Sequence, residues 1–217
     1  MTAAEAPDVT PDATPDVTPD VAPVVTMPGP TDDPLEAMVA WLAIDPADPP
    51  LGVLATVGPD GTPHGRHLLV SGVTTEGPTF HTDSRSQKAR DLAADPRATL
   101  VVIAADRSRQ LTVTGIAEPT DRAEKVQSYD ARSDYLKLLA WTNDDATAEL
   151  GPPGRRRVWA AAVDRLGPSP ALPPETWLGM RLRPGTVTFW AAGRDEPSHR
   201  RRFVSDGQRW RSVEMPG

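Results

Sequence analysis

Four side chains able to hold an anion, Arg66, Thr82, Ser86 and Lys88, fall within residues 51–90, LGVLATVGPDGTPHGRHLLVSGVTTEGPTFHTDSRSQKAR. They sit where strands are expected to end and a helix to begin. Backbone N–H groups, the positive end of a helix dipole and cationic side chains converge at such places, which is what a phosphate group requires. Other chemistries find little support. The chain has no Cys, which excludes disulfides, thiolate nucleophiles and Cys-ligated metals. No P-loop, GxGxxG or Ser-His-Asp element is present. His64 and His67 are close in sequence but lack a third metal ligand. Arg155–Arg157 and Arg200–Arg202 are basic runs without an accompanying nucleic-acid motif.

The elements that must position these residues can be read in order. Leu51–Val57 is an apolar run rich in β-branched residues and predicts a buried strand. Gly58-Pro59-Asp60-Gly61 is turn chemistry, His64–Val73 the returning strand, and Thr79–Thr82 a third. Ser84 or Ser86 can cap a helix reaching about Ala94. Upstream, Pro34–Ala43 predicts a helix with Leu35, Met38, Val39 and Leu42 on one face. Downstream, strands are expected at Ala98–Ala104 and Gln110–Glu118, then helices at Asp121–Tyr129, Asp134–Trp141 and Arg155–Leu166. Strands return at Leu178–Arg183, Thr186–Ala191, Phe203–Ser205 and Arg209–Val213. Many strands joined by short turns favour an antiparallel barrel decorated with helices.

The N-terminal part is different. Asp8–Pro23 repeats DVTP, DATP, DVTP, DVAP, and a Pro every fourth residue forbids helix and breaks strand pairing. Residues 1–30 are therefore expected to form a disordered tail and residues 31–217 a single domain. Seven of the 30 acidic residues lie within 1–33, a segment without Lys or Arg, so the body balances 23 acids against 23 bases. No apolar run approaches a membrane span and no signal-peptide layout is seen, so neither membrane nor nucleic acid is an expected partner, and a cytoplasmic location is the expectation.

Taken together, strand–GPDG–strand with Arg66, then FHTDSRSQKA at Phe80–Ala89, RQLTVTGIAE at Arg109–Glu118, Leu182–Trp190, and Arg202-Phe203 followed by Trp210 resemble the pyridoxamine 5′-phosphate oxidase family. The resemblance runs from about Pro34 to the C-terminus. It implies a mainly β fold with α (α+β), an antiparallel FMN-binding split β-barrel decorated with helices, with FMN as cofactor. FMN needs charge-assisted donors for its phosphate and an apolar slot for its ring. By the resemblance, Arg66, His67, Leu68, Leu69 and Ser71 belong to the FMN-binding strand, here RHLLVS, and His81 and Thr82 form the next contact pair. Ser86, Gln87 and Lys88 match a Ser-Arg-Lys phosphate clamp in which Gln87 replaces the Arg. Gln110 matches a ring contact, and Trp190 and Arg202 match residues contributed by the second subunit of a homodimer.

The substrate side departs from the family pattern. A Lys, a Tyr, an Arg and a Ser grip the family's substrate phosphate. The matching positions here are Ser71, Ser128, Arg132 and Leu136, with Tyr129 one residue beyond Ser128. The family's C-terminal Arg-Leu-His-Asp-Arg reads SHRRR at Ser198–Arg202, preceded by a longer loop at Ala191–Pro197. Arg132, His199 and Arg200 are the candidate substrate contacts. Each lost charge-assisted bond removes about 1.5–3 kcal/mol when desolvated. The resemblance thus implies an FMN-dependent oxidase that passes a hydride from a small, flat metabolite to flavin and is reoxidised by O₂. A genuine vitamin B6 phosphate oxidase and a non-catalytic flavin or deazaflavin binder are the alternatives.

Overall fold

The computed structural model describes residues 26–45, 48–193 and 195–216. Most of the expected tail, residues 1–25, therefore lies outside the described residues. The described chain forms helix α1 (Pro34–Leu42), strands β1 (Leu51–Val57), β2 (Pro63–Thr74) and β3 (Gly77–Asp83), helix α2 (Gln87–Ala94), and strands β4 (Arg97–Ile103) and β5 (Arg109–Pro119). Four helices follow, α3 (Arg122–Asp130), α4 (Asp134–Thr142), α5 (Asp145–Ala148) and α6 (Pro152–Leu166), then β6 (Trp177–Ala191), β7 (His199–Ser205) and β8 (Trp210–Met215).

All pairings are antiparallel, in the order β3-β2-β1-β4-β5-β6-β7-β8, and β3 pairs back onto β6 to close a six-stranded barrel. β6 makes this closure possible. Its first residues, Trp177–Arg181, pair with β3, while Thr186–Ala191 pair with β7, so one long strand closes the barrel and carries a hairpin beyond it. The sequence suggests two short strands here because Pro184-Gly185 reads as a turn. The structure absorbs these two residues in an irregularity opposite Thr114 and Gly115. Gly115 is required there, since a Cβ would stand 1.8 Å from the Arg183 carbonyl oxygen.

Alternation decides the two faces. Leu54, Leu68, Val70, Phe80, Leu100, Leu111, Val113, Val187, Phe189 and Phe203 fill the barrel. Trp41 joins them from α1 and meets Phe189 edge-on. The helix therefore buries Pro34, Met38 and Trp41; of the expected face, Met38 is fully buried and Leu35, Val39 and Leu42 are partly buried. β7 begins earlier than expected, because its Arg-rich outer positions mask the alternation around Phe203.

The packed chain begins ahead of Thr31. Pro28 is buried, Met27 rests on the core, Arg201 donates to the Pro28 carbonyl, and Ser212 Oγ donates to the Pro30 carbonyl at 2.9 Å. Removing residues 1–25 should leave the melting temperature unchanged. Removing residues 1–30 should lower it by several degrees, since each ~1 kcal/mol is worth about 2–4 °C in a chain of this size. Equal melting temperatures for the two truncations would contradict this docking.

Candidate functional site

β1, β2 and α2 are fastened by one buried carboxylate. Asp91 lies on the inner face of α2, 2% exposed, and accepts from Thr56 Oγ1 at 2.7 Å, His64 Nδ1 at 3.0 Å and Arg66 Nη2 at 3.3 Å. Burial acts to raise its pKa, but these hydrogen bonds and the nearby positive charge hold it below the ordinary carboxylate value. Arg66 Nη1 also donates to the Leu54 and His64 carbonyls and to Thr56 Oγ1. Arg66, expected on the phosphate, thus spends its hydrogen bonds on the frame and contributes its field. Asp91 was not legible as a site residue; a carboxylate on the inward face of a short helix is the one signal it leaves.

The anion corner stands beside this frame. Ser86 caps α2, and its hydroxyl lies 3.1 Å from Thr82 Oγ1. Lys88 Nζ donates to the same Thr82 hydroxyl at 2.8 Å. Lys88 is half-buried, and among the described residues no carboxylate lies within ion-pair distance of it. Desolvation, then the Arg66 charge, lowers its pKa, with Asp83 opposing. A cation drawn out of water without a counter-charge is stabilised by an incoming anion. The amides of the first helical turn have no carbonyl partner within the helix and point the same way. His67, Leu68, Leu69, His81, Thr82, Ser86 and Lys88 line a cavity of about 400 Å³ here, closed by Leu136, Leu139, Ala140 and Trp177. Gln87 lies outside it, exposed, with its amide 3.4 Å from the His64 ring.

A second cavity of about 330 Å³ shares Arg132 and Leu136 with the first. It gathers the four expected substrate positions, Ser71, Ser128, Arg132 and Leu136. Ser71, expected with the cofactor residues, belongs here instead, and the reason is a β-bulge. Val70 pairs with Phe80 and Gly72 with Thr79, leaving Ser71 as the extra residue, and a bulge re-aims a side chain. Ser71 Oγ accepts from Arg132 Nη2 at 3.1 Å and lies 3.0 Å from His81 Nδ1, which Ser128 Oγ approaches to 3.2 Å. Trp177, missed in the sequence because it reads as core, holds this group together. His81 stacks on it, Tyr129 meets it edge-on, and the Arg132 guanidinium sits 5.2 Å from its centroid. Tyr129 cannot replace the family's Tyr. Its ring is fully buried, and its hydroxyl donates to the Lys137 carbonyl and accepts from Trp141 Nε1.

The remaining candidates lie elsewhere in the single chain. Gln110, Trp190 and Arg200 form one cross-strand row on the outer face of β5, β6 and β7, with Thr112, Thr188 and Arg202 in the next row. Arg202 Nε donates to Thr188 Oγ1 at 3.3 Å. None of them lines either cavity. His199 has the opposite strand phase from Arg200, is exposed, and faces Glu196 at 3.2 Å, so the structure does not bring it to Arg132. FMN fits the first cavity by the chemistry of its donor set. Lys88, Thr82, Ser86 and the α2 amides would hold the phosphate, and the walls around Leu69, Leu139 and Trp177 would hold apolar surface.

Residues 35–168 match the family described as pyridoxamine 5′-phosphate oxidase. A pyridoxine/pyridoxamine 5′-phosphate oxidase of Cupriavidus metallidurans is 33% identical over 190 residues, covering 84% of this chain and 88% of the relative. One from Nocardioides sp. is 37% identical over 138 residues, covering 64% of each chain. Among solved structures, PhzG from Burkholderia lata in complex with tetrahydrophenazine-1-carboxylic acid superposes with a TM-score of 0.72 at 24% identity, covering 91% of this chain and 98% of that one. A pyridoxamine 5′-phosphate oxidase-related FMN-binding protein from Nostoc punctiforme gives 0.67 at 21% identity, covering 86% of this chain and 100% of its own. Both structural likenesses establish the split-barrel fold.

His81 makes the site's environment measurable. Burial, then the Arg132 and Lys125 charges, push its imidazole down to about 4. This lies below the free value of about 6.5, so the unfolded chain binds the proton first as pH falls. Stability is therefore full above about pH 6.5 and declines toward pH 4, by up to about 3 kcal/mol. His81→Gln should flatten the dependence of melting temperature on pH across that window. Parallel profiles for the two proteins would contradict a buried, neutral His81.

Proposed function

The chain belongs to the pyridoxamine 5′-phosphate oxidase family, and on that premise we propose that it is an FMN-dependent oxidase whose substrate is a flat organic acid rather than a B6 phosphate ester. The observation that carries the reading is Arg132. Desolvation lowers its pKa, and among the described residues no carboxylate pairs with it, so it stands ready for a ligand anion. A phosphate dianion needs more compensation than this pocket offers. Ser71 and Ser128 are neutral, and Leu136 makes the adjoining wall apolar. A carboxylate matches one guanidinium in charge and in its forked geometry. The PhzG structure is a complex with tetrahydrophenazine-1-carboxylic acid, which supports the same direction.

FMN, when bound, supplies the hydride-accepting chemistry and its reoxidation by O₂. The protein's own residues bind and orient. Lys88, Thr82 and Ser86 fix the phosphate, Arg132 fixes the substrate's acid group, and Leu136 and Trp177 exclude water between them.

A second copy would complete the first cavity. Leu51 (59% exposed), Val53 (49%) and Ile103 (53%) form an apolar stripe on the barrel's outer face. Leu51 and Val53 pair across β1–β2 with Leu69 and His67 of the cavity wall, and Ile103 pairs across β4–β5 with Gln110. Such a stripe calls for a cover. A two-fold axis through it would carry Gln110, Trp190 and Arg202 of one copy toward the cavity of the other. The protein should therefore be dimeric by light scattering, with one FMN per chain. A monomer that binds FMN tightly would contradict this arrangement.

The names of the 33–37% identical relatives favour one other reading, a genuine pyridoxine/pyridoxamine 5′-phosphate oxidase. FMN-loaded protein with pyridoxamine 5′-phosphate in air decides between them. Peroxide release should stay far below the ordinary enzymatic rate of about 1 s⁻¹. Turnover at or above that rate with a micromolar KM would establish the B6 reading instead.

A further inference from the structure

The second cavity is lined by one acid and one base, Glu124 from the first turn of α3 and Arg132 from the turn just beyond the helix's C-cap Ala131. Glu124 and Ser128 are four residues apart on α3 and share a side of it, and the chain then turns, with Arg132 N–H donating to the Tyr129 carbonyl, so that Arg132 reaches the same cavity. The hydroxyl-bearing residues Ser71, Thr79 and Ser133 also line it.

These two charged groups have different partners. Arg132 bonds only neutral groups, the Ser71 hydroxyl and the Trp177 ring face, among the described residues. Arg181 Nη2 donates to Glu124 Oε2 at 2.8 Å, while Nη1 of the same guanidinium pairs with Glu76. Arg181 is thus divided between two carboxylates, so Glu124, which lines the cavity, does not hold that cation to itself. Asp121 caps the α3 amide of Glu124, while the Glu124 carboxylate accepts from Arg181.

We propose that the substrate is a zwitterion: a flat acid whose anionic group pairs with Arg132 and which also carries a cationic nitrogen seated toward Glu124. This deepens the proposed function and rests on its reading of Arg132 as the acid anchor. A dianion meets one cation and one anion in this cavity, a plain acid uses one of them, and a zwitterion uses both. Glu124 thereby sets specificity, while Arg181 holds it in place between α3 and β6.

The test is calorimetric titration of the FMN-loaded protein with two probes that differ by one amine, para-(aminomethyl)benzoate and para-methylbenzoate. The amine-bearing acid should bind at least about tenfold more tightly, the effect of one added charge-assisted hydrogen bond. Glu124→Gln should erase that preference and leave para-methylbenzoate affinity unchanged. Glu76→Gln, which leaves Arg181 to neutralise Glu124 alone, should weaken it. Equal wild-type affinities, or a preference that survives Glu124→Gln, would overturn the zwitterion alone. Failure of both acids to bind would overturn the Arg132 anchor and this inference with it.

Discussion

Two cationic side chains are drawn partly out of water and, among the described residues, have no carboxylate to pair them, Lys88 in the first cavity and Arg132 where the two cavities meet. Desolvation is the leading cause of the lowered pKa in both. A fold tolerates such a cost only if the surrounding packing determines the position and a ligand recovers the energy. The remainder of the site is arranged around these two groups. Thr82 accepts from one and is itself bonded to Ser86, and Ser71 and Trp177 steady the other.

The barrel supplies the rigidity. Asp91 ties α2 to β1 and β2, so the helix start that forms the anion corner cannot drift from the strand that lines the cavity. The β2 bulge turns Ser71 toward Arg132 and His81, and closure through β6 carries Trp177 to the same place. His81 stays neutral between them, which keeps the positive charge of this wall on Arg132. The lining of the two cavities therefore includes Lys88 and Arg132, one cation for each of the proposed anions, a cofactor phosphate and a substrate acid.

Much of the architecture was legible because strands with one buried face announce themselves. β1 falls where its β-branched run places it, and α2 starts after Ser86 as its cap implies. Arg132 and Lys88 were legible as candidates through their place in ordered motifs. What stayed hidden depends on partners distant in sequence. Asp91 is an ordinary helix residue until Thr56, His64 and Arg66 surround it. Ser71 reads as part of a regular strand until the bulge turns it, and Pro184 reads as a strand end until Gly115 makes room for the backbone opposite. Glu124 is an ordinary first-turn acid of α3 until Arg181 engages it.

Lys88, half-buried and bonded to Thr82, is the group proposed to hold a phosphate. The most direct measurement compares FMN with riboflavin, which lacks the phosphate, by fluorescence quenching in wild-type protein and in Lys88→Ala. The wild type should bind FMN about 100-fold or more tightly over riboflavin, and Lys88→Ala should cut that ratio by at least tenfold while leaving riboflavin affinity unchanged. Equal binding of the two flavins by the wild-type protein, or a ratio that survives loss of Lys88, would contradict the account.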